Sequence, residues 1–131
     1  MNEKILIVED NPSNMRLMEI ILGGKGYNLL KATDGEEALD VAFRGRPDLI
    51  IMDIQLPKLN GLEAVRRLRQ SSDFSHVPVI AVTAYAMKGD KEKIINAGCN
   101  AYMSKPVNTH ELPLVVAEML RQRQKDNSQP P

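Results

Sequence analysis

Short apolar runs alternate with longer amphipathic stretches along the chain. Ile5-Leu6-Ile7-Val8, Leu49-Ile50-Ile51-Met52 and Val77 to Val82 are continuous and rich in β-branched side chains. That is the pattern of strands buried on both faces. A weaker run at 28–32 mixes Leu29-Leu30 with Asn28 and Lys31, which suits an edge strand. Ala101-Tyr102-Met103 predicts a short fifth strand. The stretches between have helical spacing. Asn11-Pro12 supplies an N-cap and a first-turn proline before Met15, Met18, Ile21 and Leu22, and Gly23-Gly24 stops that helix. Asp34 and Glu37 have capping-box spacing ahead of Ala38, Leu39, Ala42 and Phe43, with Gly45 and Pro47 as the stop. Pro57 and Asn60-Gly61 mark a loop and a helix start. Leu62, Val65 and Leu68 follow as the apolar face, with Arg66, Arg67 and Arg69 read as a solvated face opposite. A short polar helix runs from Lys88 to Gly98, with Ile94, Ile95 and Ala97 as its apolar part.

The last helix has the most regular stripe: Leu112, Val115, Val116, Met119 and Leu120. Asn108 and Glu111 can cap it. Pro113, at about the fifth helical position, is expected to remove one hydrogen bond. Arg121 to Pro131 is polar and reads as a frayed tail, giving an ordered domain over 1–124 and a flexible segment over 125–131.

Strands alternating with helices predict a doubly wound α/β fold, a parallel sheet covered on both faces with right-handed crossovers. Five strands fit the order 2-1-3-4-5, which leaves the weak strand at 28–32 on an edge. Ligands of such sheets bind beyond the carboxyl ends of the strands.

The composition narrows the classes. The 131 residues amount to one domain. Lys+Arg 17 against Asp+Glu 17 gives no net charge, which disfavours nucleic acid and anionic membrane surfaces as partners. One cysteine, Cys99, and two histidines, His76 and His110, leave no internal disulfide and no Cys/His metal cage. Cys99 reads as a buried or half-buried small residue, and the histidines as surface residues. No apolar run reaches the ~18 residues of a membrane span, and the N-terminal run Ile5 to Val8, followed at once by Glu9-Asp10, is too short for the apolar part of a signal peptide. A cytoplasmic domain without membrane insertion is expected.

The residues just past the strands then matter. Glu9 and Asp10 follow the first run, Asp53 the third, Thr83-Ala84 the fourth and Lys105-Pro106 the fifth. Each alone has a plain reading: a solvated loop, a turn cap, an N-cap, a surface lysine. Together they put three carboxylates, a hydroxyl and an ammonium on one rim. Crowded carboxylates call for a divalent cation, and all-oxygen donors indicate Mg²⁺ rather than zinc. Mg²⁺ prefers phosphate oxygens as further ligands, and a carboxylate can itself accept a phosphoryl group. Asp53, at the end of the central strand, is the best-placed acceptor.

From about residue 3 to 123 the sequence resembles a response-regulator receiver domain of two-component signalling. The pieces that carry this are Ile5-Leu6-Ile7-Val8-Glu9-Asp10-Asn11, Asp34-Gly35-Glu36-Glu37-Ala38-Leu39, Pro47-Asp48-Leu49-Ile50-Ile51-Met52-Asp53, Leu56-Pro57 with Gly61, Val82-Thr83-Ala84 and Lys105-Pro106. Met52 to Pro57 and Thr83 to Asp90 look most like single-domain receivers of the DivK type. The resemblance implies the flavodoxin-like, CheY-like (βα)5 fold. It implies that Asp53 takes a phosphoryl group from a histidine kinase or histidine phosphotransfer protein. Asp10, Asp53 and the Gln55 carbonyl would ligate Mg²⁺, with Glu9 acting through water. Lys105 would pair with phosphoryl oxygens, before a cis peptide to Pro106. Thr83 and the Ala84 N–H would bind the phosphoryl group, and Tyr102 would turn inward as Thr83 moves. The output would be a changed face formed by the fourth helix, fifth strand and fifth helix, read by a downstream protein target or used in a phosphorelay.

Gln55 and Tyr85 lie two residues past Asp53 and Thr83 and could tune the lifetime of the phosphoryl group, or be plain loop residues. Met87 could serve a partner surface; the other methionines read as core. Three alternatives stay open: a receiver from a hybrid histidine kinase, a passive interaction domain, and a small Mg²⁺-dependent aspartyl-phosphate phosphatase. The last lacks its usual second aspartate, because position 55 is Gln55, and has no length for a cap domain.

Overall fold

The computed structural model describes residues 3–56, 60–84 and 88–128, with the side chains of 88–90 and 124–128 outside that description. Pro57, Tyr85 and Met87 lie outside the described residues. The elements follow strictly in turn: β1 (Lys4–Val8), α1 (Pro12–Gly23), β2 (Asn28–Ala32), α2 (Gly35–Gly45), β3 (Leu49–Asp53), α3 (Gly61–Arg69), β4 (Val79–Thr83), α4 (Lys88–Ala97), β5 (Ala101–Ser104) and α5 (Glu111–Ser128). A 3-10 turn over Ser72–Phe74 precedes β4 and has no counterpart in the sequence reading. All neighbouring strands are parallel, in the order β2-β1-β3-β4-β5. The mixed-polarity strand is at the edge, as its composition predicts.

Side chains alternate across the sheet into two cores. Ile5, Ile7, Leu49, Ile51, Ile80 and Val82 face Met15, Met18 and Leu22 of α1 and Leu112, Val116 and Leu120 of α5. Leu6, Val8, Ile50, Met52, Val79 and Ala81 face α2, α3 and α4. Burial on both sides explains why the central strands are apolar without interruption.

The caps work as the sequence suggests, with differences. Asn11 and Asn60 accept from the N–H groups of Asn14 (3.0 Å) and Glu63 (2.9 Å). Asp34 accepts from Glu37 N–H at 2.8 Å, but Glu37 reaches back to Thr33 N–H at 2.6 Å, one residue beyond the cap itself. Asn108 accepts from His110 and Glu111 N–H, both at 2.9 Å, and its carbonyl accepts from Leu112 N–H at 3.0 Å. Regular helix nevertheless starts only at Glu111. Pro113 has no N–H to give Thr109, so the next turn of the ladder is missing, as expected.

Two readings are corrected. Val77 and Pro78 precede β4 rather than belonging to it. Ile95 is 46% exposed, so the buried apolar residues of α4 are, among its described side chains, Ile94 and Ala97. Helix α5 runs through Ser128, into the stretch read as a frayed tail. Cys99 is buried, and His76 and His110 are exposed, as expected. No helix among the described residues is long and apolar enough to cross a membrane.

Candidate functional site

Parallel strands bring their carboxyl ends to one rim, and the register sets the heights. Val8 pairs with Met52, so Glu9 comes level with Asp53; Asp53 pairs with Val82, and Thr83 with Ser104. Glu9, Asp53, Thr83 and Lys105 therefore fall within one or two residues of each other across four adjacent strands. Ladder hydrogen bonds continue past the strand ends: Glu9 N–H donates to Ala32 O at 3.0 Å, and Lys105 N–H to Thr83 O at 2.8 Å.

Asp53 and Glu9 are each 1% exposed and Thr83 is 3% exposed, while Asp10, Ala84 and the Gln55 side chain are exposed. Lys105 reaches in from β5. Its Nζ donates to Asp53 Oδ2 at 2.9 Å and to Glu9 Oε2 at 3.4 Å. Asp53 Oδ1 accepts from Gln55 N–H at 2.9 Å, and Glu9 Oε2 accepts from Asn11 N–H at 3.1 Å. The Lys105–Pro106 peptide is cis.

Charge is not balanced here. Among the described residues, carboxylate oxygens of Glu9, Asp10 and Asp53 lie within 4.8 Å of one another, against the Lys105 ammonium. Burial pushes the Glu9 carboxyl above the usual range; the Asn11 N–H pulls it down, and the Asp53 charge pushes it up again. Partial burial disfavours the Lys105 charge, but the hydrogen bond and charge of Asp53, with Glu9, outweigh it and hold that ammonium above the ordinary lysine value. Glu9 Oε1 is buried and makes no hydrogen bond, although Lys105 Nζ stands 3.2 Å away. A buried carboxylate oxygen without a hydrogen bond is rare in a native structure. An oxygen-only cluster of this kind, with surplus negative charge, fits a hard divalent cation of the Mg²⁺ type.

The loop after β3 is held close by Gly61. Its N–H donates to Ile54 O at 3.1 Å, and a Cβ at this position would stand 2.3 Å from Asp53 O. Only glycine lets α3 start so near the backbone of Asp53. On the other side of the site, Thr83 continues the alternation of Val79 and Ala81 toward α4. Tyr102 pairs with Ala81, is half-buried against the same core, and has Lys91 Nζ 5.6 Å from its ring centroid.

Arg69 departs from the solvated face that its sequence suggests. Arg66 and Arg67 are exposed, but Arg69 is not a solvated side chain. It spends its guanidinium on backbone carbonyls around β4 and the α4–β5 loop. Its position as the last residue of α3 was the available signal, and it does not say which way an arginine turns.

The comparisons agree with this architecture. A family model described as the response regulator receiver domain matches residues 5–117. The polar-differentiation response regulator DivK of Brucella anthropi is 50% identical over 108 residues, 82% of this chain and 88% of that protein. Among solved structures, the receiver domain of the sensor histidine kinase PA1611 of Pseudomonas aeruginosa superposes with a TM-score of 0.85 at 39% identity, over 92% of this chain and 98% of that one. It holds a magnesium ion coordinated in its active site cleft. A CheY-like receiver domain protein of Methanospirillum hungatei gives a TM-score of 0.89 at 29% identity, over 96% of this chain and 99% of that one. The family match covers the sheet and both helical layers, and on it the chain belongs to the response regulator receiver domains.

Proposed function

We propose that the chain is a phosphorylation-driven switch in which Asp53 accepts a phosphoryl group from a phosphohistidine on a histidine kinase or histidine phosphotransfer protein. The observation that carries this reading is the buried Asp53 carboxylate, held by Lys105 at 2.9 Å inside a cluster of three carboxylates. Asp10, Asp53 and the Gln55 carbonyl would hold Mg²⁺, with Glu9 acting through water. Bound there, the ion supplies positive charge that the carboxylates and the incoming phosphoryl oxygens otherwise lack.

An Asp53 oxygen attacks phosphorus in line, and the phosphorus–nitrogen bond to the donor histidine breaks, leaving the imidazole to take a proton from water. The protein's contribution is positioning and charge. Gln55 N–H and Lys105 orient the nucleophile. Lys105 then lies within a side chain's reach of an oxygen carried on that carboxylate. The product carries roughly −2 charge at neutral pH where Asp53 carried one, so nearby donors are drawn to it. Thr83 and the Ala84 N–H are those donors, and Tyr102 follows Thr83 because both face α4. The α4, β5 and α5 face then differs between the two states and signals to a downstream protein or passes the group on in a relay. Gln55 and Tyr85 tune how fast water removes the phosphoryl group; unchanged dephosphorylation in both Gln55→Ala and Tyr85→Ala would count against that role. We place this activity in the cytoplasm. The same chemistry would serve a receiver carried on a hybrid histidine kinase; the Pseudomonas domain is itself the receiver domain of a sensor histidine kinase.

The test is phosphorylation by acetyl phosphate or a phosphorylated kinase with Mg²⁺, read by intact mass. We expect one phosphoryl group on the parent and none on Asp53→Asn. Undiminished labelling of that variant would overturn the assignment.

A further inference from the structure

Arg69 uses every donor it has. Its Nε and Nη2 donate to Gly98 O at 3.1 and 2.8 Å, Nη1 to Val77 O at 2.7 Å and to Phe74 O, and Nη2 to Asn100 Oδ1 at 2.8 Å. A guanidinium has five N–H groups, and all are satisfied here. Asn100 closes the arrangement, because its Oδ1 also accepts from Val79 N–H and its N–H donates to Val79 O, both at 2.8 Å. Gly98 has φ +112°, and a Cβ there would stand 2.8 Å from Arg69 Cγ. The loop after α4 is thus seated on the arginine and tied to the start of β4.

The rest of α4 is held differently. Among its described side chains the buried ones, Ile94 and Ala97, lie toward the end that Arg69 secures, with Cys99 buried just beyond. Lys91, Glu92 and Lys93 are exposed. At its other end, α4 follows β4, whose last residue is Thr83.

We propose that Arg69 is the fixed pivot of α4, so that the change at the phosphorylated site reaches the α4, β5 and α5 face as a tilt of the helix's N-terminal end about an immobile C-terminal loop. This inference rests on the phospho-acceptor reading above and adds the geometry of its output. A helix anchored at both ends, or at neither, would shift as a body.

The experiment uses the full chain with Mg²⁺, with and without beryllofluoride, a stand-in for the phosphoryl group. Amide shifts and residual dipolar couplings read the motion. We expect the couplings of residues 91–96 to change by several-fold more than those of 98–100, with the latter continuing to fit the sheet. Cys99, the chain's single cysteine, reports the loop independently through its rate of thiol labelling. That rate should stay slow and insensitive to beryllofluoride in the parent. It should rise at least several-fold, and become sensitive to beryllofluoride, in Arg69→Lys. Asn100→Ala, which leaves the guanidinium and its carbonyl partners in place, should act in the same direction if Arg69→Lys does not fold. Equal changes at both ends of α4 in the parent would overturn the pivot, as would a folded Arg69→Lys or Asn100→Ala that responds as the parent does. A fluorine resonance from bound beryllofluoride separates the two levels: its absence overturns the phospho-acceptor reading, and the pivot with it.

Discussion

Burial pushes the Cys99 thiol from an ordinary 9.0 up to about 11 and outweighs the Arg69 charge, which pulls the other way. The unfolded chain therefore loses this proton first as pH rises, and the folded state binds more protons across that window. Stability contributed by the neutral thiol is present below pH 9 and is lost as pH climbs toward 11. We expect the parent to lose up to about 2 kcal/mol more than Cys99→Ala across that range, by urea denaturation at fixed pH values. Tyr27 titrates nearby, its phenol also raised by burial, but it is common to both proteins and cancels in the comparison. The burial of Cys99 was legible in its setting between Gly98 and Asn100. The cation beside it was not, because Arg69 is far away in sequence and shares its helix with two exposed arginines.

At the scale of an element, the start of α3 decides how close the helix comes to the site. Gly61→Ala would drive a Cβ into the carbonyl of Asp53, and backbone cannot swing aside as a side chain can. We expect a loss of about 1–3 kcal/mol in thermal or urea unfolding, together with weaker Mg²⁺ binding, because the clash falls on the residue that carries the carboxylate. Asn60→Ala serves as the comparison. It removes only the cap to Glu63 N–H and should cost about 1 kcal/mol without changing the site. Helix starts were readable because caps are local: Asn11, Asp34, Asn60 and Asn108 each bond an N–H within three residues. Helix ends were less so. The end of α2 falls on Arg46 with φ 52°, a conformation usually left to glycine, paired with Asp73 at 2.9 Å from the far side of α3. The end of α5 extends to Ser128 through a stretch with no apolar stripe to announce it.

The whole molecule is a sheet whose strand ends concentrate negative charge that a formal net charge of zero conceals. A cation that binds this rim binds only the folded state, so it stabilises by mass action, about 2.7 kcal/mol at a hundredfold excess over Kd. We expect Mg²⁺ to raise the melting temperature of the parent and to have little effect on Asp10→Asn. Asp10 is exposed, so that variant should fold. An equal Mg²⁺ shift in both proteins would place the ion elsewhere. The sequence by itself determined the alternation of elements, the two-faced sheet, the edge strand and the residues at the strand ends, because periodicity, caps and turn residues act over a few positions. It also determined the family, through an ordered set of short motifs. Only the tertiary structure decided that Glu9 keeps an oxygen without a hydrogen bond, that Lys105 bridges two carboxylates, and that Arg69 fastens the end of α4. Each of these depends on groups from separate strands and helices meeting at hydrogen-bond distance, and such a meeting is fixed by register and packing, not by the local chain.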